Sequence, residues 1–153
     1  MAKVRRFEEL VCWQKARQLA NVVHGLTSHP NFARDYKLRG QIQSAAGSAM
    51  HNIAEGGDAG TEAEFVRFLK IARRSCSEVQ SQLYLALDLK YITEAELKPA
   101  YHLDDEVKRL INGLIADLQN DNQAGHSTKQ TRELPASYPT TDHSSDSNET
   151  SDH

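Results

Sequence analysis

The chain has 153 residues, 25% of them charged, with a net charge of −3 and two cysteines. That length suffices for one domain with a real core, and the near-neutral balance excludes a global electrostatic pull toward nucleic acid or membrane. Cys12 and Cys76 lie far apart in sequence, which argues against a disulfide framework or zinc knuckle and fits a reduced, cytoplasmic setting.

The N-terminal stretch MAKVRRFEEL carries charge with no long apolar run after it, so neither a secretory leader nor a membrane span is expected. Charge is unevenly spread. Residues 1–120 hold 16 Lys and Arg against 15 Asp and Glu, whereas residues 121–153 hold 2 against 6. A basic surface must therefore be local, and the C-terminal part is acidic.

Apolar residues recur at three- and four-residue spacing through the first 120 positions, without strand-like alternation. A first helix is expected over 9–27, with Cys12, Ala16, Leu19, Val23 and Leu26 inward and Trp13 and Ala20 flanking. TSHPNFARDY is expected to be a connection, broken at Pro30. The second helix covers 36–55, with Leu38, Ile42, Ala45, Ala49 and Ile53 inward. Three glycines, Gly56, Gly57 and Gly60, then suggest a helix stop with Gly56 or Gly57 in the left-handed conformation.

The third helix is expected over 62–90. Thr61 and Glu64 have capping-box spacing, and Phe65, Leu69, Ala72, Cys76, Val79, Leu83 and Ala86 form the seam of a bundle. The fourth helix follows Tyr91-Ile92, with Thr93 and Glu96 as a second capping box. Its apolar row is Leu103, Val107, Leu110, Leu114 and Leu118, and Pro99 predicts a kink or a broken first turn. Short links between successive helices predict an all-α, up-and-down antiparallel four-helix bundle over residues 1–120. Residues 121–153 are polar and Ser/Thr-rich, a composition that predicts a disordered acidic tail.

Two features exceed the needs of a lone bundle. Gln41, Ser48, Asn52 and Glu55 share one stripe of the second helix at the border of its apolar face. Such a stripe either satisfies a neighbouring helix or lines a polar pocket or contact. On the third helix, Ile71, Leu85 and Leu89 lie away from the seam, with Val66 and Tyr84 on the other flank. An additional apolar surface of this kind predicts self-association.

Arg67, Lys70 and Arg74 share the outer face of the third helix, with Arg73 beside them. Like charges at four-residue spacing repel. Their clustering suggests either a phosphate-binding surface or a solvated face eased by Glu64 and Glu78. Lys37 and Arg39 on the second helix, and Arg5 and Arg6 near the N-terminus, could extend the patch. His51 and Glu55 could form one edge of a metal site, but no second such pair appears, so no metal or other cofactor is expected. EGGDAG follows a helix rather than a strand and lacks the Lys-Ser/Thr of a P-loop. No nucleophile–base arrangement is evident, and the chain is read as a non-enzyme.

FEELVCWQKARQLA, QIQSAAGSAMHNIAEG and EFVRFLKIARRSCSEVQSQLYLALDLKYI together resemble the four-helix-bundle family of 23S ribosomal RNA intervening-sequence proteins. That family is related to the accessory variability protein of diversity-generating retroelements. The resemblance covers residues 7–118, and the run from Asn52 to Gly56, with Ser48 and Gln41 ahead of it, is its most specific mark. It implies a homopentamer. Its retroelement relatives imply partners in RNA or DNA and in a reverse transcriptase. This chain departs from the family pattern at Gln43-Ser44, at Asp58-Ala59-Gly60 and at Arg74-Ser75. These changes move positive charge from the second helix to the third.

The expectation is thus an oligomeric scaffold that acts as a nucleic-acid-binding accessory protein. One alternative is a protein-interaction scaffold with no nucleic-acid affinity. Another is a metalloprotein or enzyme built on His51 and Glu55.

Overall fold

Residues 6–130 are described by the computed structural model, with side chains described through Asn122, and all the regular structure among them is helical. The expected tail beyond Gln130 and the basic residue Arg5 lie outside the described residues. A single 3-10 turn, Phe7–Glu9, leads into α1, Val11–Thr27. A short helix α2, Pro30–Arg34, is followed by α3, Tyr36–Gly57, then α4, Glu62–Asp88, and α5, Glu94–Gln130.

α1 packs between α3 and α5, and α4 packs between the same two helices on the opposite side. The four long helices therefore close a ring of neighbours, the four-helix bundle that the spacing predicts. The inward rows expected for α1, α3 and α4 are all buried.

Capping chemistry sets the helix ends. Asp35 caps α3, its carboxylate accepting the Leu38 amide at 3.0 Å. Thr61 caps α4, accepting the Glu64 amide at 3.2 Å. The second half of that capping box is absent, because Glu64 turns instead to Arg67. The Thr93–Glu96 box is complete: Thr93 accepts the Glu96 amide at 3.2 Å, and Glu96 accepts the Thr93 amide at 3.1 Å.

Several expectations are corrected. The stretch with Pro30 is not an open connection. Pro30 stands at the first position of α2, where its missing amide costs nothing and its fixed φ suits a helix. Pro99 does not break α5, which runs through it unbroken, with Pro99 itself at the surface. The helix also passes residue 120 and continues to Gln130. Propagation adds a backbone hydrogen bond per residue, so an established helix can extend past its last core residue, here Leu118.

The glycine corner holds no left-handed residue. Among the described residues Lys90 alone has positive φ, at 63°. α4 ends there in a Schellman pattern: the Tyr91 amide donates to Ala86 O and the Lys90 amide to Leu87 O, both at 2.9 Å. Gly56 has a different role, close packing. A Cβ built there would stand 2.8 Å from Cδ2 of Phe65 and 3.0 Å from Cβ of Phe68.

The inward row of α5 is also corrected. Leu103, Leu110 and Leu114 are only half-buried. The fully inward row is Ala100, Asp104, Val107, Ile111, Ile115 and Leu118. An aspartate therefore occupies a core position. It lies in sequence between Ala100, which belongs to one of two buried clusters, and Val107, which belongs to the other.

Candidate nucleic-acid interface

The polar stripe of α3 divides. Ser48 and Asn52 are half-buried, and Asn52 Nδ2 donates to Ser48 O at 2.8 Å and to Ser48 Oγ at 3.0 Å. Ser75 Oγ of α4 donates to Ser48 Oγ at 2.9 Å. These two residues thus tie α3 to α4. Gln41 and Glu55 are exposed, and neither joins that network. Gln41 instead lines an open groove of about 490 Å³ with Lys37, Ser44, Ser48 and Glu78.

The cations of α4 face outward, with Arg67, Lys70 and Arg74 exposed and Arg73 half-buried. Arg67 is already engaged, 3.0 Å from Glu64 and 4.6 Å above the Phe68 ring centroid. Hydrogen bonding to Glu64 raises the pKa of its guanidinium further. No ion-pair contact to Lys70 or Arg74 is found among the described residues. Arg73 leans toward α5 and donates to Asn112 Oδ1 at 2.8 Å.

Lys37 and Arg39 lie apart from Arg67. They sit in the first turn of α3, whereas Arg67 sits near the start of α4, its antiparallel neighbour. Arg67 and Lys37 thus stand far apart along the helix pair, while Lys37 shares a groove with Glu78, one turn from Arg74. Arg39 is held locally, donating to Ala33 O at 3.1 Å with its guanidinium 5.0 Å from the Tyr36 ring centroid.

A second groove, on the face of α5 beside α4, was not anticipated from the sequence. Its volume is about 440 Å³, and His102, Asp105, Lys108, Arg109 and Asn112 line it. Lys108 Nζ donates to Gln80 Oε1 at 3.1 Å, and Gln80 Nε2 donates to Asp105 Oδ1 at 2.8 Å. One turn further along, Tyr84 and Tyr101 pack edge to face with centroids 5.4 Å apart. The signal available in sequence was the spacing of His102, Asp105, Arg109 and Asn112, which places them on one face of a helix.

Of the expected interface residues, Leu85 and Leu89 are 47% and 46% exposed. Ile71 is half-buried, and Val66 belongs to the core. His51 and Glu55 are both exposed, and no cluster of three or more His, Cys, Asp or Glu suited to a metal occurs among the described residues. Burial pushes the Cys12 thiol up to about 11, and burial, then the nearby Asp104, pushes Cys76 higher still. Both are core thiols rather than nucleophiles.

Asp104 is fully buried, and neither carboxylate oxygen has a hydrogen-bond partner in the structure. Desolvation pushes its pKa up to about 8, opposed by Lys108 one turn away and assisted by Asp105.

Fold and surface define a helical bundle with basic and apolar patches. The chain belongs to the 23S rRNA-intervening sequence protein family, whose family model matches residues 8–113. No curated protein matches it. Among solved structures it is similar to a protein of unknown function from the S23 ribosomal protein family of Bacteroides thetaiotaomicron. The identity is 24% and the TM-score 0.64, over 69% of this chain and 98% of that one, a likeness of fold. No helix among the described residues is long and apolar enough to cross a membrane.

Proposed function

We propose that the protein is a non-enzymatic, oligomeric four-helix-bundle scaffold that binds nucleic acid as an accessory protein. The observation that carries this reading is the outer face of α4, where Lys70 and Arg74 stand exposed, with no ion-pair contact found among the described residues, beside Arg67 and Arg73. Repeated around a ring of copies, this face becomes a basic band, and phosphate neutralisation grows with the number of cations presented. The family resemblance supports five copies in the ring and leaves a reverse transcriptase or another protein as a further partner. A cytoplasmic setting accords with the two buried free thiols.

The measurement is fluorescence anisotropy with labelled RNA and DNA, titrated with salt. Affinity should fall steeply as salt rises, and charge reversal at Arg67 and Arg74 should flatten the slope. Absence of binding at about 50 mM salt, where the phosphate contribution is strong, would remove the nucleic-acid reading.

A second reading, a protein-interaction scaffold without nucleic-acid affinity, draws on the exposed pair Leu85 and Leu89. In both readings this pair, with the shoulder of Ile71, contacts another copy of the chain. Native mass spectrometry should then show an oligomer that Leu85→Glu dissociates. A wild-type chain that flies only as a monomer would contradict self-association.

A further inference from the structure

We propose that the α5 groove and the α4 side chains beside it form a binding site for single-stranded nucleic acid, with Lys108 and Arg109 in the groove and Arg73 next to it as phosphate contacts, and Tyr84 and Tyr101 one turn away as a stacking platform. This rests on the nucleic-acid reading above and goes beyond it. It places the ligand in a groove rather than on the outer face of α4, and it names the strandedness.

Three observations converge. First, the cations Arg73, Lys108 and Arg109 make no direct ion-pair contact among the described residues. Arg73 is fixed by Asn112 Oδ1 and Lys108 by Gln80 Oε1, both neutral acceptors. The one carboxylate lining the groove, Asp105, accepts from Gln80. Because Asn112 uses its oxygen on Arg73, its amide group remains a donor for a phosphate or a base edge.

Second, an aromatic pair stands at one end of the same groove face. Tyr101 precedes Asp105 by one turn, and Tyr84 follows Gln80 by one turn. The rings meet edge to face, an arrangement that leaves a ring face open, and Tyr84 is 50% exposed. Tyr101 also packs against a buried cluster, which holds the pair in place, and a base can stack on the exposed Tyr84 ring without regard to sequence.

Third, the dimensions suit a strand rather than a point anion. From Tyr101 to Asn112 the helix rises about 16 Å, enough for a few nucleotides. A duplex keeps its bases stacked on one another, so it could use the cations but not the tyrosines.

The test uses the full chain and two fluorescein-labelled probes, a short oligouridylate and a duplex RNA of equal length, in anisotropy titrations at several salt concentrations. The single strand should bind at least tenfold more tightly than the duplex. Tyr84→Ala and Tyr101→Ala should each weaken single-strand binding roughly tenfold with the salt slope unchanged, and Tyr84→Phe should restore it. Arg109→Glu should lower the slope by about 0.7 or more. Circular dichroism melts confirm that each variant is folded, and the salt slope of Arg109→Glu, a change at an exposed residue, remains a test if a tyrosine variant is not. Equal binding of the duplex would overturn the groove. So would unchanged binding by the tyrosine variants while charge reversal at Arg67 and Arg74 abolishes it, and the nucleic-acid reading would then survive on the outer face of α4. A wild-type chain that binds neither probe overturns both.

Discussion

Gly56 at the end of α3 and Phe65 in the first turn of α4 are so close that a Cβ on the glycine would stand 2.8 Å from the phenylalanine ring. The corner between the two helices is shaped by this approach, since neither Gly56 nor Gly57 has positive φ. Gly56→Ala places a methyl group against a buried ring and against Cβ of Phe68, neither of which can rotate away freely. It should destabilise the fold by about 1–3 kcal/mol, an overpacking cost that exceeds the gain of about 1 kcal/mol in helix propensity. Urea unfolding followed by circular dichroism measures it, and Gly60→Ala, which meets nothing within 4 Å, is the control.

Lys90 offers the opposite case. Its φ of 63° lies in the left-handed region, at the position after the α4 cap where glycine is preferred. Lys90→Gly should stabilise the protein by about 1 kcal/mol, because the left-handed cost of a side chain disappears while both Schellman hydrogen bonds remain. A thermal melt that shifts downward would contradict this account.

Asp104 predicts a pH dependence. Its folded pKa of about 8 lies far above the ordinary 3.8, so the folded state keeps a proton that the unfolded chain releases. Stability should therefore fall as pH rises from about 4 to about 8 and then level off, with a slope of up to about 1.4 kcal/mol per pH unit. Asp104→Asn should remove this contribution to the slope. Its advantage over wild type should reach a few kcal/mol at pH 9 and shrink at pH 4. Chemical denaturation at pH 4, 7 and 9 tests this; parallel curves for the two proteins would mean that the buried carboxyl finds a partner.

Acid acts at the end of the bundle with the opposite sign. Glu96 accepts the Thr93 amide and contacts His29, and these interactions, the amide first, hold its pKa below the ordinary carboxylate value. Stability from this carboxylate is complete above the ordinary Glu range and is lost as pH falls through its depressed folded value. Glu96→Gln should flatten that part of the acid unfolding profile. Thr93→Ala should cost about 1 kcal/mol at neutral pH through loss of the cap. A titration midpoint unmoved by Glu96→Gln would place the acid sensitivity elsewhere.

Much of the architecture was legible because the inward rows of α1, α3 and α4 are nearly all apolar, so the helical period shows directly in the residue types. α5 was misread for a specific reason. Asp104 interrupts its buried row, and a reading by apolarity shifts to Leu103, Leu110 and Leu114, which are half-buried. The same shift hid the second groove, whose lining residues all lie on α5.

For the candidate site, the basic row of α4 was visible as four cations within two turns. Sequence alone could not reveal that Glu64 engages Arg67, that Asn112 holds Arg73, or that Lys37 shares a groove with Glu78. The sequence by itself determined the four long helices, though neither the short α2 nor the full length of α5, and the family, since these rest on local spacing, capping and short links. Only the tertiary structure decided which polar groups meet across helices: Ser48 with Ser75, Gln80 with Lys108 and Asp105, Tyr84 with Tyr101, and Asp104 with no partner at all. The reason is physical. A helix's own period fixes which residues share its face, whereas the register between two helices depends on packing along their whole length.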